Sequence, residues 1–147
     1  MQAKGVRLYG VDDIRLEEFE LPEIKDDEIL VKIICDSICM STYKTVKQGE
    51  KHKRVPEGIA ENPIMIGHEF SGDVVEVGEG VTKVKVGDRV SGAPLLPCMK
   101  CDDCQNGNYS LCKHYSFIGS RQQGSNADYV VIPEQNAIPF DSSIPYE

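Results

Sequence analysis

A histidine and a glutamate stand side by side at His68 and Glu69, directly after Gly67 and shortly before a second glycine. Adjacent side chains on an extended chain point to opposite faces, so the pair can serve one site only where the backbone turns. Glycine permits such turns at low steric cost. Apolar residues at 64–66 and 74–75 predict core strands on both sides. Two interpretations stay open here. One is a catalytic or metal-binding pair, and the other is a buried histidine whose hydrogen bond is satisfied by the neighbouring carboxylate. Taken alone, this stretch favours the buried histidine.

A separate group of four cysteines has the spacing C-x2-C-x2-C-x7-C. They are Cys98, Cys101, Cys104 and Cys112. Two-residue gaps let a loop wrap so that the thiolates face one point, and four thiolates suit a closed tetrahedral zinc site that stabilises the fold. An iron–sulfur cluster would have its fourth cysteine three residues on, followed by proline. A redox pair would have no third and fourth cysteine nearby. The loop 98–112 is therefore predicted to hold a structural zinc.

Cys39 and Ser41 lie upstream and supply the groups that the His68–Glu69 pair lacks. One thiolate, one imidazole and one carboxylate would leave the fourth zinc position free for water or substrate, which is the arrangement of catalytic zinc. The Ser41 hydroxyl can accept and donate a hydrogen bond, so it could pass a proton to solvent. Spacing alone does not establish that Cys39 and His68 meet.

The surrounding chain predicts mainly strands. Runs rich in β-branched residues and bounded by turn residues indicate strands over 5–9, 14–21, 28–35, 73–77 and 127–132. A short helix is expected from Ser41 or Thr42 to about Gln48, with Gly49 as its end. The polar stretch 51–62 is interpreted as a surface loop. These elements predict a mainly β, partly open barrel with a few short helices.

Length and composition set the outer limits. With 147 residues the chain is expected to form one domain. Its formal net charge of −8 argues against a nucleic-acid surface, and its apolar runs are too short to span a bilayer. No signal peptide is recognisable, and six cysteines without one favour a reducing, cytoplasmic location. Gly78-Glu79-Gly80 lacks the third glycine of a dinucleotide fingerprint and is interpreted as a turn.

The local exception to the negative charge is the basic segment 44–54. It contains Lys44, Lys47, Lys51, Lys53 and Arg54. A solvated loop is the favoured interpretation. The second interpretation is a rim that attracts an anionic small molecule.

Four motifs occur together in a fixed order: Ser37-Ile38-Cys39-x-Ser41, Gly67-His68-Glu69-x-x-Gly72, Gly87-Asp88-Arg89-Val90, and the four-cysteine loop. In this combination the sequence resembles the zinc-dependent medium-chain alcohol and polyol dehydrogenases. Within that family, residues 94–124 are similar to the galactitol-1-phosphate 5-dehydrogenases. Residues 43–68 are similar to the L-sorbose-1-phosphate reductases.

The resemblance implies a GroES-like β-barrel catalytic domain over 1–147, truncated from a longer enzyme whose Rossmann domain is absent from this chain. It implies two zinc ions, one catalytic at Cys39, His68 and Glu69 and one structural at the four cysteines, with Ser41 as proton relay. The implied reaction oxidises a secondary alcohol of a sugar alcohol or its phosphate to the ketose, with hydride transfer to NAD or NADP. The fragment alone is expected to be inactive, and the full-length enzyme is expected to be a homo-oligomer.

Three residues depart from the family pattern. Met40 stands where glycine is usual, Thr42 where aspartate is usual, and Lys44 where many members carry a relay histidine. The relay beyond Ser41 is therefore open. Glu69 corresponds to a direct ligand in some members and to an outer group in others.

Lys44 and Arg121 are the candidate phosphate partners, because arginine offers paired donors and lysine a mobile charge. The alternative for Arg121 is an ion pair with a structural carboxylate. The alternative for the whole chain is a stand-alone zinc-binding β module used for protein contacts.

Overall fold

The computed structural model describes residues 2–147 as a mainly β domain with antiparallel strand ladders. The strands are β1 (Gln2–Gly10), β2 (Asp13–Glu20), β3 (Glu28–Asp36), β4 (Ile64–Met65), β5 (Phe70–Val77), β6 (Arg89–Gly92), β7 (Leu95–Leu96), β8 (Ser116–Phe117), β9 (Tyr129–Pro133) and β10 (Ala137–Pro139). The helices are α1 (Met40–Gln48) and α2 (Asp102–Gln105), and short 3-10 turns cover Gly49–Lys51, Tyr109–Leu111 and Glu134–Asn136.

A five-stranded sheet in the order β10-β6-β5-β3-β9 forms the body of the barrel. A three-stranded sheet, β2-β1-β4, packs beside it, and β7 pairs with β8. The larger apolar cluster fills the curl of the main sheet, with Ile29, Val31, Val74 and Ile132 each at most 1% exposed. Each such side chain contributes about 1.5–3 kcal/mol when fully buried. The predicted mainly β, partly open barrel is confirmed.

The central strand β3 sets the position of the candidate site. Its sequence is rich in isoleucine and valine, and it pairs with β5 on one side and β9 on the other. The β3–β5 register places Asp36 opposite Phe70, the residue that follows Glu69. The chain leaving β3 therefore runs directly past the His68–Glu69 pair.

The helix after β3 begins earlier than the sequence suggested. Its N-cap is Cys39, whose Sγ accepts a hydrogen bond from the Ser41 N–H at 3.5 Å. The prediction of Ser41 or Thr42 as the cap is wrong, because Cys39 keeps an extended backbone and its sulfur takes the free N–H. The helix ends at Gln48, before Gly49 with φ +51°, as predicted.

The stretch 51–62 is only partly the surface loop that its polarity indicated. Val55 and Ile59 are buried in a smaller apolar cluster with Leu8, Ile64 and Ile66. Residues 2–147 contain no Rossmann domain, and none of their helices has the length and apolar character needed to cross a membrane.

Two glycines with the same left-handed backbone allow a matched test of the turn before His68. Gly67 has φ +93° and Gly87 has φ +91°. A Cβ at Gly67 would lie 2.5 Å from the Asn126 backbone nitrogen, whereas one at Gly87 would meet nothing within 4 Å. Gly87→Ala is expected to lower the free energy of unfolding by about 1–2 kcal/mol from backbone strain alone. Gly67→Ala should lower it by a further ~1–3 kcal/mol from overpacking. Equal losses in denaturant unfolding would contradict this account.

Candidate functional site

The turn at Gly67 is held by backbone hydrogen bonds from a distant segment. The Ser125 N–H donates to the Gly67 carbonyl at 3.0 Å, and the Asn126 N–H donates to the Ile66 carbonyl at 2.9 Å. These bonds fix the chain just before it enters β5. As a result, the consecutive residues His68 and Glu69 both turn towards the end of β3.

The structure brings together the three residues predicted as one donor set. A ring nitrogen of His68, a carboxylate oxygen of Glu69 and the Sγ of Cys39 all lie within 4.8 Å of one another. Tetrahedral zinc with bonds of about 2.0–2.3 Å separates its ligand atoms by roughly 3.3–3.8 Å. The set therefore fits zinc after small side-chain movements. Its three donors, one each of sulfur, nitrogen and oxygen, would leave the fourth coordination position of the zinc open, as in catalytic zinc sites.

Ser41 lies against two members of this set. Its Oγ is 3.2 Å from the Cys39 Sγ, to which it donates, and 3.2 Å from the His68 Nε2. The first turn of α1 holds it there, and the Thr45 hydroxyl donates to the Ser41 carbonyl at 2.9 Å. The predicted relay residue thus meets the predicted ligands.

His68 and Glu69 are both favoured in the protonation states that bind metals. Burial lowers the pKa of His68, which is 7% exposed, and the nearby Arg54 charge lowers it further while Glu69 opposes the shift. A hydrogen bond from Ser37 is the main cause that lowers the pKa of Glu69. At neutral pH the imidazole is therefore neutral and the carboxylate ionised, as ligation requires.

The sequence revealed Thr42 only as a departure from a family pattern, and the structure gives it a contact. Its Oγ1 lies 3.5 Å from the His68 Nδ1, at the long limit of a hydrogen bond, and the residue is 4% exposed. A histidine that binds a metal usually donates its other N–H to a carboxylate, a carbonyl or water. In this chain a neutral hydroxyl stands in that position.

Ser37 is a site residue that sequence reasoning missed, although it lies in the motif that contains Cys39. Its Oγ donates to the Glu69 Oε2 at 2.5 Å, and its backbone N–H donates to the Glu69 carbonyl at 2.9 Å. These bonds orient the carboxylate. The neighbouring Asp36 is partly buried, and desolvation is the main cause that raises its pKa.

A cleft of about 740 Å³ opens beside the donor set. Its walls include Asp36, Ser37, His68 and Glu69 together with Phe140 and Tyr146. The Tyr146 hydroxyl donates to Asp73 at 2.5 Å, and the Ser71 hydroxyl donates to the Tyr146 carbonyl at 2.6 Å. Side chains of β5 therefore fix Tyr146 in the wall of the cleft.

The cysteine loop forms a second, separate cluster. All four sulfurs lie within 4.8 Å of one another. The Sγ atoms of Cys98 and Cys104 are 3.9 Å apart, as are those of Cys101 and Cys112. Zinc–sulfur bonds of about 2.3 Å in a tetrahedron give sulfur separations of roughly 3.8 Å. Two of the sulfur pairs therefore already have the spacing of a four-thiolate zinc site, and the remaining pairs lie within about 1 Å of it.

The four thiols do not ionise alike. Backbone N–H groups of Lys100 and Cys101 lower the pKa of Cys98 to about 6, whereas burial raises the pKa of Cys104 to about 12. All six cysteines of the chain are free thiols. A bound divalent cation would supply the charge that full ionisation of the cluster requires.

The two candidate phosphate partners are differently placed. Lys44 is exposed on α1. Arg121 donates from Nη1 to the Tyr115 carbonyl at 2.7 Å, and its guanidinium lies 4.6 Å from the Tyr115 ring centroid. The exposure of Lys44 and the contacts of Arg121 do not test phosphate binding, so this role stays a prediction for both residues.

Comparison with known proteins assigns the chain to a family. Residues 25–142 match the family described as the alcohol dehydrogenase GroES-like domain. The chain belongs to this family. The match covers most of the barrel and both cysteine-containing sites.

Three relatives illustrate the range of the family. D-arabitol-phosphate dehydrogenase of Enterococcus avium is 40% identical over 98% of this chain, which spans 40% of that protein. The crystal structure of galactitol-1-phosphate dehydrogenase from Escherichia coli superposes with a TM-score of 0.84 at 38% identity, covering 97% of this chain and 39% of that one. The cobalt- and zinc-bound thermostable alcohol dehydrogenase of Pyrobaculum aerophilum gives 0.82 at 29% identity, covering 95% and 41%. The chain therefore spans about two fifths of the length of these relatives.

Removal of the Thr42 hydroxyl is expected to weaken zinc binding at the Cys39 site. Thr42→Val keeps the shape of the side chain but leaves the His68 Nδ1 without its polar neighbour, so zinc affinity should fall about tenfold. Chelator competition measures the change. Thr45→Val, which removes another buried hydroxyl of the same helix, is the matched control. Equal effects of the two variants would contradict a specific role for Thr42.

Loss of one thiol of the cysteine loop is expected to reduce stability. Cys104→Ser should lower the free energy of unfolding of the zinc-loaded chain by several kcal/mol and remove one zinc, because the cluster is complete only with four sulfurs. Cys35→Ser changes a cysteine outside both clusters and should leave the zinc content unchanged. Unaltered thermal unfolding of Cys104→Ser would show that the loop needs no metal.

Proposed function

We propose that this chain is the zinc-binding catalytic part of a nicotinamide-dependent dehydrogenase that oxidises a secondary alcohol of a sugar alcohol or sugar-alcohol phosphate. The observation that carries the proposal is the Cys39, His68 and Glu69 donor set, with the Ser41 hydroxyl 3.2 Å from two of its atoms. A structural site has no need of such a hydroxyl. The separate four-cysteine cluster supplies the structural role elsewhere.

In this proposal Cys39, His68 and Glu69 hold the catalytic zinc. When bound, zinc supplies a Lewis acid that lowers the pKa of a coordinated hydroxyl by several units. The Ser41 hydroxyl then has the position and chemistry of a proton relay, since it can accept one hydrogen bond while donating another. Glu69 acts as a direct ligand or, through its bond to Ser37, as an outer group that orients the site.

Packing around His68 supports a fixed geometry for this chemistry. The ring meets Phe117 edge-on, with centroids 5.3 Å apart and planes at 72°. Thr42 lies at the Nδ1, and Ser41 lies at the Nε2. Contacts on three sides restrict rotation of the imidazole and exclude water from its apolar flank, which favours a preorganised site.

The substrate class comes from the relatives. D-arabitol-phosphate dehydrogenase and galactitol 1-phosphate 5-dehydrogenase share 40% and 39% of aligned residues with this chain. By analogy the substrate is a polyol or a polyol phosphate similar to galactitol 1-phosphate, and the product is the ketose. Lys44 and Arg121 are the phosphate contacts proposed from the sequence.

The rest of the proposal concerns the whole enzyme. Residues 1–147 act as the GroES-like catalytic domain, with a structural zinc in loop 98–112 and a catalytic zinc at Cys39. NAD or NADP binds to a domain outside this chain, so these residues alone turn over no substrate. We further propose that the complete enzyme is a cytoplasmic homo-oligomer.

Replacement of Cys39 tests the catalytic role. In the full-length enzyme, Cys39→Ser should abolish polyol oxidation and reduce zinc content from two ions to one per chain, because the soft thiolate ligand is lost. Circular dichroism should show an unchanged fold. Cys35 lies in β3, shortly before Cys39, and the Cys35→Ser enzyme should retain two zinc ions per chain and normal turnover.

Normal turnover by the Cys39→Ser enzyme would refute the proposal. A wild-type chain that binds a single zinc, at the four cysteines, and to which no catalytic activity can be assigned would favour the alternative of a zinc-binding module for protein contacts.

A further inference from the structure

The guanidinium of Arg54 lies close to the donor set. Its central carbon is 4.2 Å from the Phe117 ring centroid, and the same ring is 5.3 Å from the ring centroid of His68. The distance between the guanidinium carbon and the centre of the imidazole therefore cannot exceed the sum of these two distances. Phe117 supports the cation on its face and the histidine beside it.

Arg54 has no anionic partner among residues 2–147. Among residues 2–147, Lys47 is the member of the basic segment 44–54 that forms a salt bridge, to Asp12 at 2.8 Å. No carboxylate of those residues lies within salt-bridge distance of Arg54, and its Nε is buried without a hydrogen-bond acceptor. A buried donor without an acceptor costs free energy. The Nε is enclosed by the protein, so an external anion would bind the terminal nitrogens of the guanidinium instead.

Neighbouring groups give the same region a positive field. The Arg54 backbone N–H donates to the His52 Nδ1 at 3.4 Å. Burial lowers the pKa of His52, and the charges of Arg54, Lys53 and Lys44 lower it further. Lys44 on α1 and the loop 52–54 are thus near enough for their charges to act on the same imidazole, in a chain whose net charge is −8.

We propose that Arg54, assisted by Lys44, binds the phosphate of a phosphorylated polyol whose reacting hydroxyl lies at the Cys39–His68 site. This inference rests on the proposed function. In a polyol 1-phosphate that reacts at C5, seven single bonds join the reacting hydroxyl oxygen to phosphorus, so the extended molecule spans about 9 Å. This length is similar to the upper limit that the two ring distances through Phe117 set for the separation of the imidazole and the guanidinium. Arginine can bind phosphate oxygens with two parallel N–H donors, and Lys44 would add a second positive charge.

Arg54 is better disposed for this role than Arg121. One terminal nitrogen of Arg121 already donates to the Tyr115 carbonyl. The Arg54 guanidinium forms no hydrogen bond or salt bridge with residues 2–147, and its one described contact is the stacking on Phe117. The basic segment that the sequence favoured as a solvated loop thereby gains a ligand of defined chemistry, a phosphate monoester.

The test is an NMR titration of the zinc-loaded chain with inorganic phosphate and galactitol 1-phosphate. Both should shift the backbone resonances of residues 52–54 and Lys44, and galactitol 1-phosphate should also shift those of residues 39–41. Arg54→Gln should raise the dissociation constants of inorganic phosphate and galactitol 1-phosphate about tenfold or more, since the hydrogen bonds from the guanidinium to the charged phosphate are lost. Lys51→Gln, an exposed charge of the same segment, should change them less than about twofold. Arg54→Lys retains the charge and should give an intermediate loss.

Several outcomes would overturn the inference. These are the absence of phosphate binding to the wild-type chain, equal losses in Arg54→Gln and Lys51→Gln, and tighter binding of NADP+ than of galactitol 1-phosphate at residues 52–54. The last result would assign the site to a cofactor phosphate. If galactitol 1-phosphate shifts residues 52–54 and leaves 39–41 unmoved, the anion site is supported and the proposed substrate is wrong.

Discussion

The candidate site depends on a backbone constraint at Gly67. His68 and Glu69 are consecutive, and consecutive side chains on a strand point to opposite faces. Gly67 adopts φ +93°, a backbone conformation that residues with a Cβ atom rarely adopt, and it turns the chain immediately before the pair. The N–H groups of Ser125 and Asn126 hold the turn in place. The contacts of the pair with Cys39, Ser41 and Ser37 require this turn.

His68 is the point at which the other parts of the site converge. Helix α1 supplies hydroxyls at both of its ring nitrogens, and strand β8 supplies Phe117 at its edge. Phe117 in turn carries the guanidinium of Arg54 on its face. One aromatic ring thus connects the orientation of the imidazole with a cation from the loop after α1. Movement of either group would be transmitted to the other through packing alone.

The sequence was informative where the structural signal is local. β-Branched runs predicted the strands, cysteine spacing predicted the clustered sulfurs, and the ordered motifs led to the family that the comparison confirms. It failed where a contact joins distant segments. Burial of Ile59 needs β1 and β4, and the bond from Ser37 to Glu69 needs the β3–β5 register. Cys39 as helix cap was missed because a sulfur acceptor is uncommon there.

The two cysteine-containing sites differ in how much of the chain must be in place before each exists. The loop 98–112 is closed by contacts within itself, including the Cys98 N–H to Cys112 bond and the turn of α2. The His68 site needs residues 37–42 together with Ser125 and Asn126, which arrive much later in the chain. Closing the longer loops costs more entropy and slows folding. The cysteine loop therefore depends on a short stretch of chain, whereas the His68 site exists only when segments between residues 37 and 126 have come together.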